Sequence, residues 1–275
     1  MKLTAFDHDG DIAVGLIDGP SVTPIAQRER FWKDPRAALD ALRTTAPLSL
    51  AAVRQRPAAP SSARVLCIGL NYRNHAAEGG GEAPTSPVVF GRWTASLVAD
   101  GDPVPAIEER YDWEGELGVI IGKPMFRVPV DRALRGVFGY CAFNDLSART
   151  FQRSSPQWTM GKNAEMSGPM GAIVSADEVG DPKNGLRLVT RRNGETVQDD
   201  NTRDLIFPVD VLIAHITQVM QLNPGDMIAT GTPAGVGAAR RPPLFLGAGD
   251  RIEVEIEKVG KVANPVVAAP APVLP

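Results

Sequence analysis

Hydrophobic residues along the chain occur in short runs of three to six, each bounded by Gly, Pro or acidic residues. Runs of this length between turn-forming residues favour strands, because helices usually need about 10 residues or more. The runs that predict strands are residues 65–70, 117–121, 140–143, 172–174, 227–229 and 252–256. The pattern therefore predicts a fold dominated by short strands.

Two local signals add detail to this pattern. Asn193 and Gly194 separate two strand-like segments, and because both residues tolerate a positive φ they predict a tight hairpin. Residues 208–222 are predicted to form the longest helix, because apolar side chains recur on one face at Leu212, Ile216 and Val219. The sequence thus predicts a mainly β fold with peripheral helices.

The composition narrows the class of protein. Of 275 residues, 43% are hydrophobic and 22% are charged, which is typical of a soluble globular protein. A net charge of -3 provides no basic surface for a nucleic acid, and no apolar segment is long enough for a signal core or a membrane span. The two cysteines are too few for a disulfide framework. We therefore expect a cytoplasmic protein with neither nucleic acid nor membrane as partner.

Pro and Gly also mark domain boundaries. Residues 57–62 are rich in Pro and lack periodicity, so they are the best candidate for a linker. The prediction is a small N-terminal domain over residues 1–60, a main domain over residues 61–267 and a flexible tail over residues 268–275.

Three acidic residues lie at the ends of predicted strands. Glu114 and Glu116 are two apart, so their side chains leave one face of a strand, and Asp145 follows the next strand. Carboxylates gathered beside apolar runs repel unless a proton or cation lies between them, and oxygen ligands suit a hard divalent cation. The alternatives are a solvated strand end for the two glutamates and a salt bridge from Arg149 to Asp145.

A second group of residues suits proton transfer. His75 and Glu78 are three apart, so they share one face if the segment is helical, and a carboxylate beside imidazole raises its basicity. Residues 79–81 are all Gly and could let such a helix move as a lid. The alternative is a surface helix with an incidental ion pair.

Taken in order, five motifs resemble the fumarylacetoacetate hydrolase superfamily over roughly residues 61–267. They lie at residues 69–78, 114–117, 144–149, 161–162 and 230–237. The resemblance implies a mixed β-roll of the C-terminal domain type in a homodimer, preceded by a small N-terminal domain. It also implies Mg²⁺ or Mn²⁺ on Glu114, Glu116 and Asp145, and the oxygen ligands themselves leave Ca²⁺ as a further option.

The same resemblance implies roles for further residues. His75 and Glu78 would be the catalytic base dyad, and Lys162 would supply positive charge beside the substrate. The residues expected to bind substrate are Arg73, Gln152, Gly231 and Thr232. The sequence departs from the common family pattern at Thr150, Glu165, Ala172 and Arg92, of which Glu165 and Arg92 could reshape the pocket.

The function that these residues imply is a metal-dependent hydrolase that cleaves a C–C bond in an acylpyruvate or related 2-oxo acid. His75 would activate a water, and an enolate would be stabilised by the metal and Lys162. The alternative is an isomerase, decarboxylase or hydratase–dehydratase acting on an unsaturated 2-oxo acid. A third hypothesis is a binding protein that has the same fold but no catalytic activity.

Overall fold

The computed structural model describes residues 1–271 except 42–44 and 79–82. The strands in this part of the chain are β1 (Lys2–His8), β2 (Asp11–Asp18), β3 (Ser21–Gln27), β4 (Leu48–Ser49), β5 (Gln55–Arg56), β6 (Val65–Gly69), β7 (Val88–Arg92), β8 (Leu97–Ala99), β9 (Val104–Ala106), β10 (Tyr111–Asp112), β11 (Gly115–Ile121), β12 (Val137–Asn144), β13 (Ser147–Ala148), β14 (Gly168–Met170), β15 (Ile173–Ser175), β16 (Arg187–Arg192), β17 (Glu195–Asn201), β18 (Met227–Ala229), β19 (Arg251–Ile256) and β20 (Gly260–Ala268). The α-helices are α1 (Arg28–Phe31), α2 (Pro35–Asp40), α3 (Arg73–Glu78), α4 (Val130–Ala133), α5 (Arg149–Gln152), α6 (Thr159–Lys162), α7 (Ala176–Val179) and α8 (Val209–Thr217).

Most strands belong to one large mixed sheet. Its main path runs β4-β3-β2-β1-β15-β12-β11-β18-β6-β7, and β5, β8 and β14 join it from the side. A five-stranded sheet has the order β17-β16-β19-β20-β9, and β10 pairs with β13. The predicted mainly β fold with peripheral helices is therefore confirmed. Because β1 pairs with β15, the leading strands extend the large sheet, and the domain boundary at residue 60 stays a prediction.

The central strand β11 is buried on both faces. Leu117 and Val119 pack in a cluster with residues of β16, β19 and α8, whereas Ile120 packs on the opposite face with the leading strands and α1. Alternate side chains of a strand point to opposite faces, so β11 contributes to two cores at once. Because both faces of β11 are packed, the directions of the side chains at the start of this strand are fixed as well.

The predicted hairpin forms between β16 and β17. Asn193 has a φ of 54° and Gly194 a φ of 84°, both in the left-handed region that a tight two-residue turn requires. The hairpin prediction is confirmed, and it places β17 at the outer edge of the five-stranded sheet.

The longest helix is shorter than predicted. It ends at Thr217 because the chain then turns to pair with another segment, where Leu222 and Met125 exchange backbone hydrogen bonds of 2.8 Å in both directions. Leu212 and Ile216 are buried as expected, but Val219 lies beyond the helix and is 85% exposed. The expectation that Val219 belongs to the apolar face was wrong, since periodicity alone does not reveal the long-range backbone pairing of Leu222 with Met125.

The remaining predictions concern location and assembly. Among the described residues, every helix is too short or too polar to cross a bilayer. Of the predicted tail, Ala268 ends β20 and residues 272–275 lie outside the described part of the chain. The cytoplasmic setting and the homodimer stay predictions.

The contrast between Leu212 and Val219 can be tested by unfolding. We expect Leu212→Ala to lower the free energy of unfolding by about 2–5 kcal/mol, because a fully buried leucine leaves a cavity. Val219→Ala is the matched control and should change it by no more than about 0.5 kcal/mol. Urea unfolding measures both, and equal effects would contradict the observed end of α8.

Candidate functional site

Three carboxylates meet where β11 begins and β12 ends. The two strands are antiparallel, with Gly115 opposite Asn144, and the backbone N–H of Asp145 donates to the carbonyl of Glu114 at 2.8 Å. One oxygen each of Glu114, Glu116 and Asp145 lies within 4.8 Å of the others, and all three residues are buried. The strand register therefore brings together the acidic residues that the sequence predicts as one group.

Gly115 explains why the two glutamates point the same way. A Cβ atom at Gly115 would lie 2.2 Å from the Thr190 hydroxyl, so the opposite face of β11 packs tightly against β16. The backbone N–H of Gly115 donates to the Gln198 side chain at 3.0 Å, which fastens this strand end to β17. With that face closed, Glu114 and Glu116 project to the other side.

Two cationic side chains compensate Glu114. The Lys162 ammonium donates to Glu114 at 2.7 Å and to Asp145 at 2.6 Å, and the Arg149 guanidinium donates to the other Glu114 oxygen at 2.6 Å. Burial raises the pKa of Glu114, but the charges of Lys162 and Arg149 outweigh burial and hold that pKa at about 2. Glu114 is therefore ionised.

Glu116 has no such partner among the described residues. Its one hydrogen bond there comes from the backbone N–H of Gly231 at 2.8 Å. Burial, followed by the charges of Asp145 and Glu114, raises the pKa of Glu116 well above its ordinary value. A buried carboxylate under this repulsion favours a bound cation, and three carboxylate oxygens are the donor set that a hard divalent ion accepts. The residues present thus fit a metal ion.

A cavity of about 490 Å³ opens beside the acidic group. Its polar side includes Glu114, Lys162, Arg149 and Gln152, while His75 and Glu78 line it as well. Its apolar wall includes Ile68, Phe90, Trp158 and Val236. A cavity of this size that combines apolar walls with a few charged groups is typical of a small-molecule site.

The His75–Glu78 pair lies on α3. The Nδ1 atom of His75 is 3.4 Å from Glu78 Oε2, and both oxygens of Glu78 accept from the backbone N–H of Gly235, at 3.0 and 3.2 Å. The i, i+3 spacing therefore brings the two side chains together as expected. The predicted glycine hinge at residues 79–81 lies outside the described part of the chain.

The residues predicted to bind substrate have different environments. Gln152 lines the cavity and accepts from Arg149 at 2.9 Å, and Thr232 also lines the cavity. The Thr232 hydroxyl, however, already donates to the carbonyl of Gly115 at 3.0 Å, so it can only accept from a ligand. Arg73 is exposed on α3 and is not brought to the described cavity lining.

The positions that depart from the family pattern mostly lie away from the cavity. Glu165 and Thr150 are exposed. Arg92 is fully buried behind Asp145, with its guanidinium 2.6 Å from that carboxylate. Among the described residues that line the cavity, neither Glu165 nor Arg92 appears, so the structure does not support their predicted effect on pocket shape.

Sequence reasoning missed the polar residues that hold the site together. The buried carboxylate of Asp112 accepts from Arg149 at 2.8 Å and from the backbone N–H groups of Gly237 and Ala238 at 2.7 and 2.9 Å. Asp112 lies two residues before Glu114, so its position in that acidic motif could have indicated a role in the site. The sequence could not indicate its hydrogen-bond partners, because Gly237 is 125 residues away along the chain.

Known proteins are similar to this chain in sequence and in fold. The chain is 40% identical over 209 residues to the mitochondrial oxaloacetate tautomerase fahd2 of Xenopus laevis, a match of 74% of this chain and 65% of that protein. Just under two thirds of that relative is thus covered. Fumarylacetoacetate hydrolase from Exiguobacterium antarcticum superposes with a TM-score of 0.81 at 32% identity, and 2-hydroxyhepta-2,4-diene-1,7-dioate isomerase from Mycobacterium marinum with 0.79 at 31%. Both comparisons cover 98% of this chain and 100% of the other.

The family model described as fumarylacetoacetate (FAA) hydrolase C-terminal matches residues 64–267. This range contains the acidic group, the dyad and every residue that lines the described cavity. The chain therefore belongs to the fumarylacetoacetate hydrolase family of enzymes.

Proposed function

We propose that this protein is a divalent-metal-dependent isomerase that interconverts the keto and enol forms of a small 2-oxo dicarboxylic acid. The observation that carries the proposal is the position of the His75–Glu78 pair on the same cavity as Lys162 and Glu114, which belongs to the buried acidic group. A base and a set of fixed positive charges around one cavity suit proton removal from the carbon next to a 2-oxo group. The names of an oxaloacetate tautomerase and a dioate isomerase among its relatives support this choice, while the fumarylacetoacetate hydrolase among them supports the second candidate function given below.

The ion-binding role falls to Glu114, Glu116 and Asp145. An ion held there, Mg²⁺ or Mn²⁺, would supply a Lewis acid for the oxygens of the 2-oxo acid group. The three side chains leave coordination positions open, because Mg²⁺ prefers six ligands.

Two cationic side chains can stabilise negative charge that develops on the substrate oxygen. The Lys162 ammonium has three N–H donors, of which two bind Glu114 and Asp145. The Nη2 atom of Arg149 is buried and has no hydrogen-bond partner among the described residues. Donors fixed beside the reacting atoms stabilise an enolate oxygen more than the neutral ketone oxygen.

His75 is the proposed base. Glu78 lies against Nδ1 and favours the tautomer that carries its proton there, which leaves Nε2 free to accept a proton from substrate carbon. The Gly235 N–H in turn holds Glu78 in place. Lys162 belongs to the proposed catalytic group with His75 and Glu78.

Hydrolysis of a C–C bond in an acylpyruvate is the second candidate function. The same dyad favours it, since a base assisted by a carboxylate can deprotonate a water as readily as a carbon acid. We distinguish the two by NMR in deuterated water with oxaloacetate and with an acylpyruvate. Faster keto–enol exchange of oxaloacetate with an intact carbon chain is the expected result, and cleavage of the acylpyruvate would favour hydrolysis instead.

The metal role of Glu116 can be tested without substrate. We expect Glu116→Gln to lose the thermal stabilisation that Mg²⁺ or Mn²⁺ gives the wild-type protein, because a neutral amide replaces a charged ligand at nearly the same volume. Glu253→Gln, a change on the five-stranded sheet, is the control and should keep the metal-induced shift. A full metal-induced shift in Glu116→Gln would remove Glu116 from the ligand set.

The base role of His75 predicts a different outcome. We expect His75→Ala to lower kcat by about 10²–10⁴ while the metal-induced thermal shift stays at the wild-type value. His215→Ala is the matched control, because His215 is exposed on α8, and it should keep full activity. Enol–keto conversion followed by ultraviolet absorbance measures both variants, and near-wild-type turnover in His75→Ala would contradict the assignment.

A further inference from the structure

Arg92 is a buried cation that the proposed reaction does not use. It ends β7, its side chain is fully buried against Asp145, and it is not among the described residues that line the cavity. Its Nη1 atom donates to the hydroxyls of Ser96 and Ser167 at 3.1 and 2.6 Å, and its Nη2 atom donates to the carbonyl of Leu146 at 3.0 Å. The guanidinium is thus held from several sides in one orientation.

The remaining donors of Arg92 converge on a single oxygen. Nε donates to Asp145 Oδ1 at 2.9 Å and Nη2 donates to the same atom at 2.6 Å. A carboxylate oxygen offers about two lone-pair positions, so Arg92 occupies both positions of Oδ1. Lys162 binds the other oxygen, Oδ2, at 2.6 Å, and that oxygen keeps a lone pair. Only Oδ2 is available to an ion.

This arrangement bears on which ion fits. Mg²⁺ requires an octahedral shell at about 2.0–2.1 Å and takes carboxylates through one oxygen, whereas Ca²⁺ accepts six to eight oxygens and often binds a carboxylate through both. We propose that Arg92 is a positioning residue that makes Asp145 a one-oxygen ligand and so selects a small octahedral ion over Ca²⁺. The sequence left Ca²⁺ as an option, and the Arg92 contacts argue against it.

The charge of Arg92 alone cannot produce this selection. A nearby positive charge weakens the binding of all divalent cations by a similar factor, because their charges are equal. The ratio of the Ca²⁺ and Mg²⁺ dissociation constants therefore separates an effect of ligand geometry from an effect of charge. The inference rests on the metal site of the proposed function, but it is independent of the reaction catalysed.

The test is the conservative variant Arg92→Lys in the full chain, with Mg²⁺ and Ca²⁺ each titrated alone by calorimetry into metal-free protein. Lysine keeps the charge but has no planar fork, so Oδ1 gains a free lone pair. We expect the ratio of the Ca²⁺ to the Mg²⁺ dissociation constant to fall by about tenfold or more, the size typical for loss of a contact to a metal ligand.

Two further variants keep the test decisive. Ser167→Ala keeps the guanidinium and removes one of its anchors, and should lower the same ratio by a smaller factor even if Arg92→Lys folds poorly. Arg64→Lys is the control, because Arg64 binds the buried carboxylate of Asp226 at the far end of β11, and it should leave the ratio unchanged.

Each outcome has one meaning. A lower ratio in Arg92→Lys, or in Ser167→Ala where the former does not fold, with an unchanged ratio in Arg64→Lys supports the inference. Equal changes in both dissociation constants, or no change, would overturn it while leaving the metal site intact. A wild-type protein that binds neither ion would overturn the metal site and this inference with it.

Discussion

The buried negative charge at the junction of β11 and β12 is the constraint on which the rest of the site depends. Three carboxylates within 4.8 Å of one another repel strongly in a low-dielectric interior, and each must be compensated. Lys162 and Arg149 compensate Glu114, Lys162 also reaches Asp145, and Arg92 binds Asp145 from behind. Burial, followed by the charges of Asp145 and Glu114, raises the pKa of Glu116, and no cationic side chain in the described structure forms a salt bridge with it. Because the negative charges of the three carboxylates are compensated unequally, the acidic group is suited to bind a cation.

The large sheet supplies the rigidity that such a group requires. β11 is buried along its whole length and pairs with β12 and β18, so a one-residue slip of its register would exchange its two faces and turn Glu114 and Glu116 into the tightly packed side. The same alternation directs Glu114 and Glu116 away from the five-stranded sheet, where Gly115 leaves room for Thr190. Core packing and ligand direction are therefore consequences of one strand register.

The loop after β18 connects the two halves of the site. Its Gly231 N–H binds Glu116 on the metal side, and its Gly235 N–H binds Glu78 on the side of the proposed base. Buried polar side chains hold the backbone of this loop in place. The Asn71 amide donates to the carbonyl of Thr230, and the Asp112 carboxylate accepts from the backbone N–H of Gly237. One loop therefore contacts both groups, and hydrogen bonds to residues distant in sequence hold that loop in place.

The sequence by itself determined what depends on neighbouring residues. Strand runs, the Asn193–Gly194 turn and the shared face of Glu114 and Glu116 follow from local periodicity and backbone preference. The grouping with Asp145 was predicted from its position after a strand and from the resemblance to the family, and the structure places it as expected. Only the tertiary structure decided where α8 ends and which groups Asp112 and Arg92 contact. It also decided that the Thr232 hydroxyl donates to the carbonyl of Gly115. Each of these features depends on a partner many residues away along the chain. The identity of a side chain shows which groups it can bind, but only the folded structure shows which groups lie next to it.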